Sequence, residues 1–193
     1  AGGRLARLRG RAGFEVLVVE RRDDPRTNRH AGGRSINLAI SARGIDALEA
    51  AGLDEELMKH AIPMPGRMLH TNGQTSFQPY SASGTHAINS VSRSELNLLL
   101  LDGADECESV EFRFGLACTG VDPDAGTITF ADAEGRNIVE QAPVIVGADG
   151  AYSGVRSALQ KTPRFNFSQE FLEDGYKELS IPAENEGPHA PWA

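Results

Sequence analysis

The chain has 193 residues, 40% hydrophobic and 24% charged, with a formal net charge of −8. One folded core of ordinary domain size fits that length, and the composition excludes disorder over most of it. The acidic balance also argues against a general nucleic-acid binder. No apolar run approaches the roughly 18 residues that cross a bilayer and no charged-then-apolar leader opens the chain, so the expectation is a soluble, cytoplasmic protein. Cys107 and Cys118 lie without metal-ligand spacing and fit a reducing compartment better than a disulfide scaffold.

Residues 3 to 12 are helix-compatible, with Gly13 as the breaker. Charge is concentrated in this region: positions 1 to 34 hold nine of the 19 basic residues against four acidic ones. Arg4, Arg7 and Arg11, at helical spacing, read as a solvated helix face. "FEVLVVE", Phe14 to Glu20, is a β-branched apolar run that reads as a buried parallel strand ending in a carboxylate. From Ser35 to Gly52, Ile36, Leu38, Ile40, Ile45 and Leu48 follow a helical pattern closed by Gly52, and a second helix starts at Asp54. Asn72-Gly73 between short apolar runs signals a hairpin. Ser92-Arg93-Ser94-Glu95 has capping-box spacing and predicts a helix onward from Ser92. A β-meander follows, with turns at "DPDAG" and "AEGRN". It leads to "QAPVIVGADG", read as a further buried strand delivering Asp149 to its C-terminal end, and then to a helix carrying Arg156. This order predicts an α/β sheet with an antiparallel insertion.

Nucleotide chemistry enters at Glu20. In a dinucleotide-binding βαβ unit the second strand ends in an acid that accepts the ribose hydroxyl protons, and about 18 residues earlier stands the last glycine of the phosphate-binding turn. Gly2 occupies that place relative to Glu20; an ordinary helix followed by a strand fits the same spacing. The first strand and the first two glycines of the motif would precede residue 1, so the chain is expected to begin inside the motif. Asp149, at a strand mouth before a helix, is open to two compatible readings, ligand contact and helix N-cap. Gly147 and Gly150 permit close backbone approach, and Arg156 is expected to face a pyrophosphate or a neighbouring acid.

"GADGAYSGVRSAL" resembles the Asp-Gly motif of the single-component FAD-dependent aromatic hydroxylases, a motif associated with FAD and NADPH binding. With "GGRSINLAISARGIDAL", "IPMPGRMLH", "SVSRSELN" and "KTPRFNFSQEFLEDGYKELSIP", the resemblance narrows to the kynurenine 3-monooxygenase family and runs from Gly2 to about Pro182. It implies a Rossmann-like FAD-binding fold, a doubly wound parallel sheet with an antiparallel β insertion and its first strand missing. Residues 1–193 would form a partial FAD-binding domain that includes the start of a substrate-binding β region, about 62–91 and 176–193.

The resemblance also implies roles. Glu20 and Arg22 would flank the adenosine ribose, Ala39 would offer a backbone contact, and Arg93 would reach the flavin side. Cys118 would meet the adenine half, while Gly2, Asp149 and Gly150 would complete the cofactor set. Arg67 and Tyr80 would hold the amino-acid group of L-kynurenine, a task suited to the arginine fork; without the resemblance they read as a surface arginine and a half-buried strand tyrosine. The implied reaction consumes NADPH and O₂ and places one oxygen on the kynurenine ring, with no catalytic side chain and no metal. The chain alone is expected neither to retain FAD nor to turn over. A sister aromatic hydroxylase, or an FAD-binding remnant without turnover, fits the same cofactor residues.

Overall fold

A computed structural model describes residues 1–27, 37–83 and 86–175. Helix α1 (Gly2–Arg11) leads into strand β1 (Val16–Glu20), and β2 (Asn37–Ile40) leads into α2 (Ala42–Glu49) and α3 (Asp54–Met58). Strand β3 (Ile62–Met64), the hairpin β4 (Gly66–Thr71) and β5 (Gln74–Pro79), and β6 (Ile88–Ser92) precede α4 (Arg93–Asp105). Strands β7 (Val110–Phe114), β8 (Ala117–Asp122), β9 (Thr127–Ala131) and β10 (Asn137–Gln141) precede α5 (Gly154–Leu159).

Strand β1 runs parallel to β7, with Val16 opposite Val110 and Glu20 opposite Phe114. Three antiparallel sheets accompany this pair: β10-β9-β8, β2-β6-β3 and the hairpin β4-β5. The predicted α/β organisation with antiparallel insertions is therefore present. At the hairpin tip Asn72 and Gly73 both take positive φ, 51° and 77°, the pairing that matches a two-residue turn to the strand twist. Ser92 caps α4 as its spacing predicts, its Oγ accepting the Glu95 N–H at 3.4 Å.

Two neighbouring apolar clusters form the core. Leu48, Ala51, Leu53, Leu57 and Val91 make one, with Leu96, Leu99 and Leu100 of α4 packed against it. Ala6, Ala104 and Val110 make the other, joined by Val16 and Val18. Helix α1 lies between them because its small residues let α4 come close. A Cβ on Gly3 would stand 3.1 Å from the Leu100 carbonyl oxygen, and one on Gly10 would stand 2.8 Å from the Cys107 Cβ. Gly3 meeting Leu100 and Gly10 meeting Cys107 shows that α1 and α4 run side by side in the same direction.

Three expectations about the elements fail wholly or in part, each for an identifiable reason. The helix read from Ser35 to Gly52 is, over its described part, a strand and then a helix: β2 pairs with β6, and Ser41 caps α2 with its Oγ accepting the Gly44 N–H. Ile36, Leu38 and Ile40 are spaced by two, which is the strand period, and only Ile45 and Leu48 keep the helical one.

The buried strand read at "VIVGADG" is not there either. Residues 142–150 carry no strand, and Val144 and Val146 are 75% and 59% exposed. A β-branched run reports what its side chains require but not which neighbour supplies the ladder, and among the described residues none pairs with it.

Of the three arginines of α1 read as a solvated face, Arg11 is exposed but Arg4 and Arg7 turn inward. Arg7, whose side chain is 11% exposed, donates to the Ala51 carbonyl at 2.6 Å, to the Gly103 carbonyl and to Glu106 at 2.7 Å. Arg4 donates to the Ala47 carbonyl at 2.7 Å. Helix C-terminal ends leave carbonyls without intrahelical partners and favour cations, and α1 supplies those cations to the ends of α2 and α4.

Candidate functional site

The candidate site lies at the end of the parallel pair where Glu20 closes β1. A 10-residue helix and a 5-residue strand are of similar length, roughly 15 Å each, and α1 runs back alongside β1. The N-terminus of α1 therefore reaches the same end as Glu20. The first turn of α1 carries neither an acidic residue nor a side-chain cap, which leaves its N–H groups to an anion. Gly2 abuts the segment before α5: a Cβ there would stand 3.8 Å from the Ala148 Cβ. Gly2 and the Asp149-Gly150 step are thus neighbours, joined to Glu20 through the geometry of α1.

At the strand end, the Glu20 carboxylate accepts the Arg22 N–H at 3.0 Å, and the Arg22 guanidinium lies 3.7 Å from it. The backbone is pinned beneath them, where the Leu116 N–H donates to the Glu20 carbonyl and the Gly115 N–H to that of Arg22. Both side chains face solvent, 44% exposed for Glu20 and 78% for Arg22. An exposed carboxylate with unused acceptor capacity beside a cation suits paired ribose hydroxyls.

The Asp149 loop is built differently from its sequence reading. Ser153, not Asp149, caps α5: its Oγ accepts the Arg156 N–H at 2.9 Å and donates to Asp149 Oδ1 at 2.5 Å. Asp149 Oδ2 accepts the Val155 N–H at 3.2 Å, so the carboxylate closes the same turn from outside. Gly150 has φ 80°, and among the described residues no heavy atom lies within 4 Å of where its Cβ would stand. Arg156 turns back on this loop, donating to the Gly150 and Ala151 carbonyls, with Phe167 under its guanidinium at 5.2 Å. Among the described residues it pairs with no acid, the second of the two partners expected for it.

Burial alone would raise the Asp149 carboxyl, but hydrogen bonds from Ser153 and from the Val155 and Gly154 N–H groups hold it below the usual carboxylate range. A carboxyl whose folded pKa is depressed stabilises the fold above its unfolded pKa, about 3.9, and that contribution is lost as pH falls through the folded pKa. Asp149→Asn should therefore flatten the fall of stability below about pH 4, read from urea midpoints across pH. An unchanged acid limb would remove Asp149 from that role.

Cys118, at the start of β8, lies against the same loop. A Cβ on Gly154 would stand 2.9 Å from its carbonyl oxygen, and burial, helped by the Asp149 charge, pushes its thiol up.

Arg93 opens α4. Because Gly3 of α1 meets Leu100, the seven residues from Arg93 to Leu100 carry α4 roughly 10 Å past the start of α1, on the side where the site lies. Its side chain is exposed and, among the described residues, makes no hydrogen bond or ion pair. Ala39 stands opposite Ser90 in the sheet that leads into α4.

Arg67 and Tyr80 share one face of the hairpin. Arg67 stands opposite Gln78 and donates its Nε–H to the Gln78 Oε1 at 2.8 Å, and the Tyr80 N–H continues the ladder to the Pro65 carbonyl. Both side chains are exposed. The hairpin forms its own sheet, and among the described residues no hydrogen bond ties Arg67 or Tyr80 to the Glu20 or Asp149 groups. Ser153, the residue that seats Asp149, was missed by the sequence reading; its signal was a serine three residues before Arg156. "GGRS" and residues 176–193 lie outside the described residues.

A helix start open to an anion, a glycine-bearing loop beside it and a strand-end carboxylate at the same end make the arrangement that a dinucleotide site needs. The chain belongs to the FAD binding domain family, which it matches over residues 1–173. More narrowly, it is similar to kynurenine 3-monooxygenases: 45% identical over 184 residues to that of Myxococcus xanthus (strain DK1622), covering 94% of this chain and 40% of that protein. It is 43% identical over 183 residues to that of Anopheles gambiae, covering 94% and 38%. The chain thus spans about 40% of the length of the curated relatives it matches. The flavin-dependent monooxygenase PieE, solved in complex with FAD and substrate, matches with a TM-score of 0.67 at 21% identity over 82% of this chain and 30% of that one, a likeness of fold. Among the described residues no helix is long and apolar enough to cross a membrane, and no cluster of ligating side chains could hold a metal.

Proposed function

We propose that this chain carries the adenosine side of an FAD site and the beginning of a substrate site in an NADPH- and O₂-dependent monooxygenase converting L-kynurenine to 3-hydroxykynurenine, a step of tryptophan degradation. The carrying observation is the convergence of Gly2, Glu20 with Arg22, and Ala148 to Gly150 at one end of the fold, with Arg93 extending beyond them. The names of the relatives support the substrate.

In this reading Gly2 lets the pyrophosphate approach the start of α1, and the Glu20 carboxylate accepts the ribose hydroxyl protons with Arg22 alongside. Ala39 and Cys118 contribute backbone to the cofactor, Asp149 and Gly150 hold the loop against it, and Arg93 faces the flavin side. Arg67 pairs with the substrate carboxylate and Tyr80 orients it. FAD supplies the electron transfer from NADPH and the O₂ activation that the reaction needs. The side chains bind, orient and exclude water. The unpaired thiols of Cys107 and Cys118 favour a reducing compartment such as the cytoplasm.

The test is a chimera in which this chain replaces the matching segment of the Myxococcus xanthus relative. L-kynurenine should stimulate NADPH oxidation with formation of 3-hydroxykynurenine. Stimulation by a different aromatic acid alone would assign the chain to a sister hydroxylase.

A further inference from the structure

We infer that Arg26 is a positioning residue for the adenosine side of the FAD site, acting through Glu20 and Arg22; the inference rests on the ribose role proposed for that pair. Arg26 lies four residues past Arg22, on the loop that leaves β1. Its Nε donates to both oxygens of Asp24 at 2.9 Å, and its Nη2 lies 2.8 Å from Oδ2. The other arm of the fork leaves the loop, with Nη1 donating to Asp105 at 2.9 Å and lying 3.7 Å from Asp102, both on the last turn of α4. Below it, the guanidinium sits 5.6 Å from the ring centre of Phe112 and 5.9 Å from that of Phe114, and the two rings on β7 are themselves stacked.

Each contact removes a freedom of the loop. Asp24 also accepts the Arg26 N–H, and its carbonyl takes the Thr27 N–H and Oγ1, which closes residues 24–27 into a turn. Arg26 fastens that turn to two elements the chain reaches about 80 residues later, α4 and β7. At the near end the Glu20 and Arg22 carbonyls are held by residues 115 and 116, directly after β7. The segment between β1 and Thr27 is thus pinned at both ends to the β7 region, and the exposed Glu20–Arg22 pair stands on it. A planar fork with stacking faces is needed for this, since lysine could satisfy one carboxylate but not span Asp24, Asp105 and the rings together. Preorganising a binding pair raises affinity without adding a ligand contact.

The experiment is a double-mutant cycle on FAD affinity in the chimeric holoenzyme, stripped of cofactor and titrated with FAD. Arg26→Ala should weaken FAD binding roughly tenfold in the otherwise unchanged protein, and by less than about twofold where Glu20 and Arg22 are already alanine. Arg26→Lys, which keeps the charge, should lose affinity in the same direction and serves if the alanine variant does not fold. An equal loss in both backgrounds would mean that Arg26 acts on the fold at large and would overturn the inference alone. Unchanged FAD affinity in both Arg26 variants would overturn it as well. If the Glu20/Arg22 double alanine itself binds FAD normally, the ribose reading falls and the inference falls with it.

Discussion

Replacing Arg67 by alanine in the chimera is expected to raise the KM for L-kynurenine roughly ten- to a hundredfold while FAD content stays unchanged, the effect of losing a charge-assisted bidentate contact of about 1.5 to 3 kcal/mol. The hairpin explains why one residue should matter so much. Arg67 Nε is held by Gln78 Oε1, which orients the guanidinium and leaves its terminal nitrogens to a ligand. Tyr80 stands diagonally across on the same face, within reach of a long side chain at that spacing. Because the carboxylate of the substrate is remote from the ring that reacts, the contact is made equally in ground and transition states, so kcat should change little. Because the hairpin is a separate sheet, the cofactor residues should be undisturbed. Steady-state kinetics with flavin absorbance checks both halves, and an unchanged KM would remove Arg67 from the site.

Gly154→Ala should destabilise the protein by about 1 to 3 kcal/mol, the usual range for overpacking. A Cβ at this position would stand 2.9 Å from the Cys118 carbonyl oxygen and 3.5 Å from the Cys118 Cβ. The obstacle is backbone of β8, which is paired with β9 and cannot swing aside as a side chain could. Relief requires α5 to lift, and α5 carries Ser153 and the N–H groups that hold Asp149. The gain in helix propensity on replacing glycine, up to about 1 kcal/mol, opposes this loss without cancelling it. Urea unfolding reads the difference; a midpoint equal to or above that of the parent would show that α5 and β8 are not in close contact.

The sequence was legible where a residue's role is settled by its neighbours in the chain. Asn72-Gly73 requires positive φ at both positions and so declares its turn. Ser92 reaches only three residues to cap α4, and the meander turns after Asp122 and Asp132 are closed by those aspartates accepting nearby N–H groups. Glu20 belongs here too, as the β-branched run before it announced the strand that it ends, although β1 is half-buried rather than buried.

What was not legible depends on distant partners. Arg4 and Arg7 have the spacing of a solvated stripe, and only the arrival of α2 and α4 turns them into caps for carbonyls some 40 to 100 residues away. Arg26 is likewise unremarkable until Asp105 and the Phe112 and Phe114 rings are set beside it. The run from Val144 failed for the same reason, since side-chain pattern does not name a pairing strand. Asp149 stood out as a candidate through its motif, while the partner that orients it, Ser153, became visible only with the turn itself.

FAD affinity at Glu20 tests the account most directly. In the chimera, stripped of cofactor and titrated with FAD, Glu20→Ala should weaken binding roughly ten- to a hundredfold, the loss of charge-assisted hydrogen bonds to the ribose hydroxyls. The melting temperature without cofactor should be unchanged, since the Glu20 side chain is half exposed and, among the described residues, bonds only to its own loop. FAD affinity equal to that of the unsubstituted chimera would contradict the placement of the adenosine ribose at the end of β1, and with it the site described here.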